Sequence, residues 1–147
     1  MKIFFNTFKF PTVKVKITNE TDDNNKNYDN FMNYWETRYR KKEHFHLFMD
    51  LHSLTLPNMG LCLDFIRRQK EMKKESIQYL DYSVVVVNNR IVHATLNMLW
   101  NLCPPLNTVY LVAEMSLALT LLNCINSPIY SKEYIATYIE MYNITKI

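Results

Sequence analysis

Runs of apolar side chains along the chain predict strands that are separated by amphipathic helices. In residues 12–18 apolar side chains alternate with polar ones, two of which are lysines. This alternation predicts a half-exposed strand that forms a hairpin with residues 2–10. The runs His44–Leu51, Ser83–Val87 and Thr108–Val112 are apolar on both faces, as expected for central parallel strands.

Helices are predicted between and after these strands, because apolar side chains recur there at helical spacing. The predicted helices span about residues 28–42, 58–74, 91–103, 115–123 and 131–143. In the second of them the apolar stripe is predicted to run from Met59 through Cys62 and Phe65 to Met72.

The resulting order is β-β-α-β-α-β-α-β-α with an extra C-terminal helix. This order predicts an α/β fold with a single mixed β-sheet, an N-terminal hairpin plus parallel strands, covered by helices. Since no linker or internal repeat interrupts the pattern, we expect a single domain over residues 1–147, with its core in about residues 2–122.

Composition excludes several classes of protein. The 48% hydrophobic and 14% aromatic fractions are too high for a disordered chain. The net charge of +3 is small for a dedicated nucleic-acid binder. Gly60 is the only glycine, whereas phosphate-binding loops and dinucleotide fingerprints need several, so the usual nucleotide-binding enzymes are excluded.

The three cysteines, Cys62, Cys103 and Cys124, each lie in an apolar run, which predicts buried reduced thiols and a reducing compartment. We find no secretory signal. The longest apolar stretch, Val109–Ile125, contains too many polar residues for a transmembrane segment. We therefore expect a cytoplasmic protein.

The loop after the central strand carries a family resemblance. The sequence FMDLHSLTLPNMGLCLDFI, followed downstream by SVVVVNNRIVHATLNML and TVYLVAEMSLALTLL, resembles the STAS family of sulfate transporters and anti-sigma-factor antagonists. Asp50-Leu51 matches the strand end of that family, and Asn58–Leu61 matches its signature loop with the conserved glycine. The resemblance covers about Lys2 to Leu122 and implies a non-catalytic regulatory module.

The chain departs from the STAS pattern at the phosphorylation site. Asn58 and Met59 stand where the family has an Asp-Ser pair, and one residue is missing, so the phospho-acceptor Ser or Thr is absent. Ser53 and Thr55 are nearby hydroxyls, but they precede the helix. The resemblance therefore implies a helix N-terminus that could accept an anion or a partner's carboxylate, without the kinase-controlled switch.

Candidate catalytic and metal-binding residues are few. His44 and His46 share a strand face and could approach His52, but no further motif completes a metal site, so surface or edge histidines are expected. Asp50 ends a central strand, where α/β proteins place their sites, and we expect it to cap the following loop. No nucleophile elbow or catalytic-cysteine motif is present, so we expect neither an enzyme nor a cofactor.

Basic residues cluster in the hairpin and at two helix ends. Lys14 and Lys16 could join the clusters Arg38–Lys42 and Arg67–Lys74 in one basic patch. Cations are also favoured at helix C-termini, and the net charge is small, which argues against a nucleic-acid partner.

These observations favour a non-catalytic protein–protein interaction or regulatory module of the STAS type. Two alternatives stay open: a domain that binds a small anionic ligand such as a nucleotide or lipid, and a structural assembly subunit that forms a homo-oligomer through the hairpin and last helix. The candidate partner- or ligand-binding residues lie around the central loop: Asp50, Ser53, Thr55, Asn58, Met59 and Gly60.

Overall fold

The computed structural model describes all 147 residues and contains one six-stranded mixed β-sheet. The strands are β1 (Lys2–Lys9), β2 (Thr12–Thr18), β3 (Phe45–Asp50), β4 (Leu80–Val86), β5 (Thr108–Val112) and β6 (Thr145–Lys146). The helices are α1 (Lys26–Arg40), α2 (Met59–Met72), α3 (Arg90–Leu102), α4 (Met115–Asn126) and α5 (Lys132–Met141). The predicted α/β class and mixed sheet are confirmed. No helix has the length and apolar character that a membrane crossing requires.

The strands lie in the sheet in chain order. β1 pairs antiparallel with β2, the strands β2 to β5 are parallel, and β6 returns antiparallel beside β5. Because successive parallel strands are neighbours, right-handed crossovers place α1, α2 and α3 on one side of the sheet. α4 and α5 pack on the other side. The two-residue strand β6 was not predicted, since it has too few residues for a periodic signal.

The side covered by α1, α2 and α3 holds the larger core. Trp35 of α1 is 1% exposed and contacts three aromatic rings edge-on. Its ring centroid lies 5.8 Å from that of Phe31, 6.0 Å from Phe45 and 5.6 Å from Phe65. The helical spacing of apolar residues in α1 therefore predicted the buried face correctly.

The other side of the sheet is covered only in part. α4 and α5 pack over β4 and β5, where Val84, Val112 and Leu121 are buried. Nearer β1, the side chains that point to this side stay exposed or half-buried, as Phe4, Lys14 and Lys16 do. The sheet is thus covered across its width on one side and over about half its width on the other.

Two of the three cysteines lie between α2 and α3. Cys62 and Cys103 pack with Ile66 and Leu99, and Cys124 is a buried residue of α4. All three thiols are free, as predicted, and burial raises the pKa of the Cys62 thiol. They therefore contribute apolar packing rather than cross-links.

Candidate functional site

The candidate site is the loop between β3 and α2, at the carboxyl edge of the parallel strands. Asn58 caps α2, since its side-chain Oδ1 accepts a hydrogen bond from the Leu61 N–H at 3.1 Å. This confirms the predicted cap. Gly60 has an ordinary backbone conformation, but a Cβ there would lie 3.3 Å from Asn58 Oδ1, so glycine leaves room for the capping side chain.

Asn19, which follows β2, holds this loop in place. Its amide nitrogen donates to the Ser53 carbonyl at 3.2 Å and to Thr55 Oγ1 at 2.9 Å. Its amide oxygen accepts the N–H groups of Thr55 and Leu56 at 3.1 and 3.2 Å. The predicted site residues Ser53 and Thr55 are therefore fixed by a residue that sequence reasoning missed.

Asp50, His52 and Ser53 form a chain of side-chain contacts. Asp50 Oδ1 accepts the His52 N–H at 3.0 Å, which confirms its predicted capping role, and also contacts His52 Nδ1. His52 Nε2 lies 3.3 Å from Ser53 Oγ. The order carboxylate, imidazole, hydroxyl is that of a hydrolase triad, although the residues are neighbours in sequence.

The surroundings of Ser53 favour a structural role for this chain of contacts. Acyl transfer needs backbone N–H groups aimed at a developing oxyanion. The N–H of Leu54 is bonded to the Leu51 carbonyl, and those of Thr55 and Leu56 are bonded to Asn19. The amides next to Ser53 are therefore already used to shape the loop.

The three histidines considered as metal ligands each have a separate partner. His44 Nδ1 lies 2.6 Å from Asp81 Oδ1, and His52 contacts Asp50. His46 is 6% exposed, with Nε2 2.5 Å from Thr12 Oγ1, so the expectation of a surface or edge histidine is wrong there. Nowhere do three or more histidine, cysteine or acidic side chains come close enough to hold a metal ion.

His46 is buried because α4 crosses the sheet above it. Its ring stacks on Tyr82 at 4.6 Å, and the amide nitrogen of Asn126, at the end of α4, lies 3.4 Å from Nε2. The Tyr82 hydroxyl donates to the Asn126 amide oxygen. Burial lowers the pKa of His46, which favours the neutral imidazole.

The groove beside the start of α2 offers little attraction to an anion. It has a volume of about 370 Å³ and contains Arg68, the one cation among its lining residues. Arg68 contacts Asp29 at 3.7 Å, Glu36 at 3.1 Å and Asp64 at 3.0 Å. Because its charge is already balanced by carboxylates, the small-anion alternative gains no support from this groove.

Asp64 of α2 connects α2 to α1. It accepts a hydrogen bond from the Tyr28 hydroxyl at 2.8 Å and from Arg67 at 2.7 Å. Arg67 lowers the pKa of Asp64, whereas burial and the Asp64 carboxylate raise the pKa of Tyr28. Asp64 thus links the two helices while its side chain stays partly exposed.

The basic clusters do not form one patch. Arg38–Lys42 and Arg67–Lys74 lie at the ends of α1 and α2, on one side of the sheet. Lys14 and Lys16 point to the opposite side, with Phe48 and Asp50. The groove between the two helix ends also contains Glu36, Glu71 and Glu75, so it has mixed charge.

An exposed apolar surface runs along α2 and α3. Met59 was predicted to belong to the buried stripe of α2, but it is exposed, because the buried residues of that helix begin at Leu61 and Cys62. Exposed apolar residues continue this surface from the loop onto both helices. We call this set the α2–α3 stripe: Leu56, Met59, Leu63, Ile91, Met98 and Leu102.

Helical geometry places these side chains beside the contact between the two helices. Met59 and Leu63 each precede by three residues the side chains of α2, Cys62 and Ile66, that pack against α3. On α3, Leu102 comes three residues after Leu99, which packs against α2. Met98 comes four residues before Leu102, and Ile91 comes eleven residues before it. The exposed apolar side chains of both helices therefore lie beside the contact between α2 and α3.

The fold and the site define an α/β protein whose helical layer carries exposed apolar side chains next to a loop that Asn19 holds by hydrogen bonds. Compared with known proteins, the chain matches no family model, no curated protein and no solved structure.

Proposed function

We propose that this protein is a non-catalytic protein-binding module that docks an amphipathic, acidic segment of a partner protein on the α2–α3 stripe. The observation that carries the proposal is the exposure of that stripe: Leu56 is 73% and Ile91 58% exposed. Contiguous exposed apolar side chains with a polar rim are typical of protein interaction sites.

The charges around the stripe favour an acidic partner segment. By helical spacing, Arg67 and Lys70 of α2 and Arg90 of α3 lie beside the stripe. Arg67 is paired with Asp64, whereas Lys70 and Arg90 have no salt bridge. The chain from Ile91 to Ala113 contains no Asp, Glu, Lys or Arg. An apolar helix face with acidic edges would complement this surface, whereas a second copy would bring basic rims together.

The STAS resemblance supports the same class of function, since it implies a regulatory module that acts through protein contacts. The predicted site residues Asn58, Met59 and Gly60 lie at the start of the stripe, whereas Asp50, Ser53 and Thr55 support it from the loop. Three buried free thiols are consistent with the cytoplasm as the location that we propose.

A designed peptide tests the proposal directly. The probe is a labelled helical peptide with leucine at i, i+3, i+4 and i+7 and glutamate on its other faces, measured by fluorescence anisotropy. The control peptide has the same composition in scrambled order. We expect the patterned peptide to bind at least tenfold more tightly, because only its leucines form one face.

The variant Leu63→Glu with Met98→Glu should abolish this binding, since it places carboxylates in the stripe of both helices. The matched control Asn30→Glu with Asn33→Glu adds the same charge on the exposed face of α1. Equal affinity of the two double variants would refute the stripe as the binding surface. A stable dimer in light scattering that Leu63→Glu dissociates would show instead that a second copy occupies it.

A further inference from the structure

Four lysines of the N-terminal hairpin lie on the same side of the sheet, the side that α4 and α5 cover only in part. Lys16 of β2 is directly opposite Phe4 of β1, and Lys14 lies two residues along the same strand. Directly opposed residues of an antiparallel pair point to the same face, and so do residues two apart on a strand. Lys2 therefore shares this face with Phe4.

A β-bulge brings the fourth lysine to this face. Between Asn6 and Lys9 the register shifts, so that two residues of β1 oppose one residue of β2. Strict alternation would place Lys9 on the opposite side from Lys2. Because of the bulge, Lys9 instead lies opposite Thr12, which has the same orientation as Lys14.

Two of these lysines, Lys14 and Lys16, line an open groove of about 350 Å³. Phe4 lines the groove and is 37% exposed, and Lys2 Nζ lies 5.2 Å from the centre of its ring. Asp50 is the one carboxylate among the lining residues, and it is already in contact with His52. No salt bridge of the structure involves the four lysines.

The local charge is much denser than the net charge of +3 indicates. Residues 1–18 contain four lysines and no acidic residue, so this short segment carries more positive charge than the whole chain. A second copy of this face would be repelled by like charges, so the complementary occupant is an anion of repeating charge.

We propose that this surface, the hairpin face, binds single-stranded nucleic acid. The lysines would contact successive phosphates, and the exposed ring of Phe4 would stack on a base. Sheet surfaces that combine lysines with exposed aromatic rings bind single strands in this way, because every base presents a ring face. The aromatic ring favours nucleic acid over an acidic polypeptide, which would use only the charges.

The experiment measures binding of fluorescein-labelled U15 and dT15 by anisotropy between 50 and 200 mM NaCl. We expect Lys14→Glu with Lys16→Glu to weaken binding at least tenfold. The loss of two phosphate contacts should also make the plot of log K against log salt less steep, reducing the magnitude of its negative slope by about 1.4. The matched control, Lys73→Glu with Lys74→Glu, makes the same change in net charge at the end of α2 and should alter affinity less than twofold.

Phe4→Leu separates stacking from charge. It keeps an apolar side chain on β1 and should weaken U15 binding about fivefold or more, while leaving binding of a labelled deca-aspartate peptide unchanged. The proposal is overturned if the wild-type protein binds neither oligonucleotide, or if the two lysine double variants bind the oligonucleotides with equal affinity. It is also overturned if Phe4→Leu has no effect, because the face would then be a site for acidic proteins. Melting temperatures of all variants confirm that they fold, and none of these residues belongs to the α2–α3 stripe.

Discussion

The two sides of the sheet differ in how they are covered and in what their side chains do. On the side of α1, α2 and α3, aromatic rings such as Trp35 pack edge-on in an apolar core. On the side of α4 and α5, a smaller core and a buried polar cluster around His46 lie beside exposed lysines. The first side holds the fold together, whereas the second leaves sheet surface available to other molecules.

The largest loss of stability is expected at the centre of the first side. Trp35→Ala removes a fully buried ring with three aromatic neighbours and should lower the free energy of unfolding by about 3–5 kcal/mol. Chemical denaturation followed by circular dichroism measures this change. Trp35→Phe is the matched control, and it should cost much less because the indole N–H has no hydrogen-bond partner.

A smaller loss is expected in the core of the second side. Leu121→Ala in α4 should lower the free energy of unfolding by about 2–3 kcal/mol, near the lower end for buried leucine, because partly exposed neighbours can relax into the cavity. The same denaturation experiment measures it. If Leu121→Ala costs more than Trp35→Ala, the unequal division of the core between the two sides is wrong.

The burial of His46 on the second side predicts how the stability of the protein changes with pH. Burial lowers its pKa in the folded protein below the unfolded value of about 6.5. The unfolded chain therefore binds a proton at His46 more readily than the folded protein does. The contribution of neutral His46 to stability is present above the unfolded pKa and is lost as the pH falls below it. We expect the melting temperature of His46→Gln to fall less between pH 7.5 and 5.0 than that of the wild type; parallel pH profiles would contradict this.

The smallest effect is expected on the exposed part of the second side. Lys16→Ala removes a side chain that has no salt bridge and should change the free energy of unfolding by less than about 0.5 kcal/mol. Thermal denaturation tests this, with Lys14→Ala as a second position on the same strand. A loss above 1 kcal/mol would mean that the lysines serve the fold rather than a ligand.

Patterns local to one element were predicted well from the sequence. The continuous apolar run of β3 and the helical spacing of Trp35 and its neighbours in α1 both correspond to buried elements. The Asn58 cap was also predicted, because capping depends on residues only a few positions apart.

Features that depend on distant residues were not predicted. Asn19 bonds to Thr55, 36 positions away, and nothing near either residue indicates that contact. In α3 the periodicity does not distinguish the buried residues from the exposed ones, since Ile91 and Met98 are as apolar as Val92 and Leu99. Which apolar side faces the sheet is decided by packing, so the α2–α3 stripe was missed.

The bulge in β1 also has an evolutionary consequence. Lys9 lies on the hairpin face because it pairs with Thr12, and the bulge accommodates the extra residue between it and Asn6. Deleting either Thr7 or Phe8 would remove the bulge and leave Lys9 opposite Thr12 on the same face, because a single residue would then separate it from Asn6. Relatives of this chain could therefore lose the bulge by a single-codon deletion and still keep all four lysines on the hairpin face.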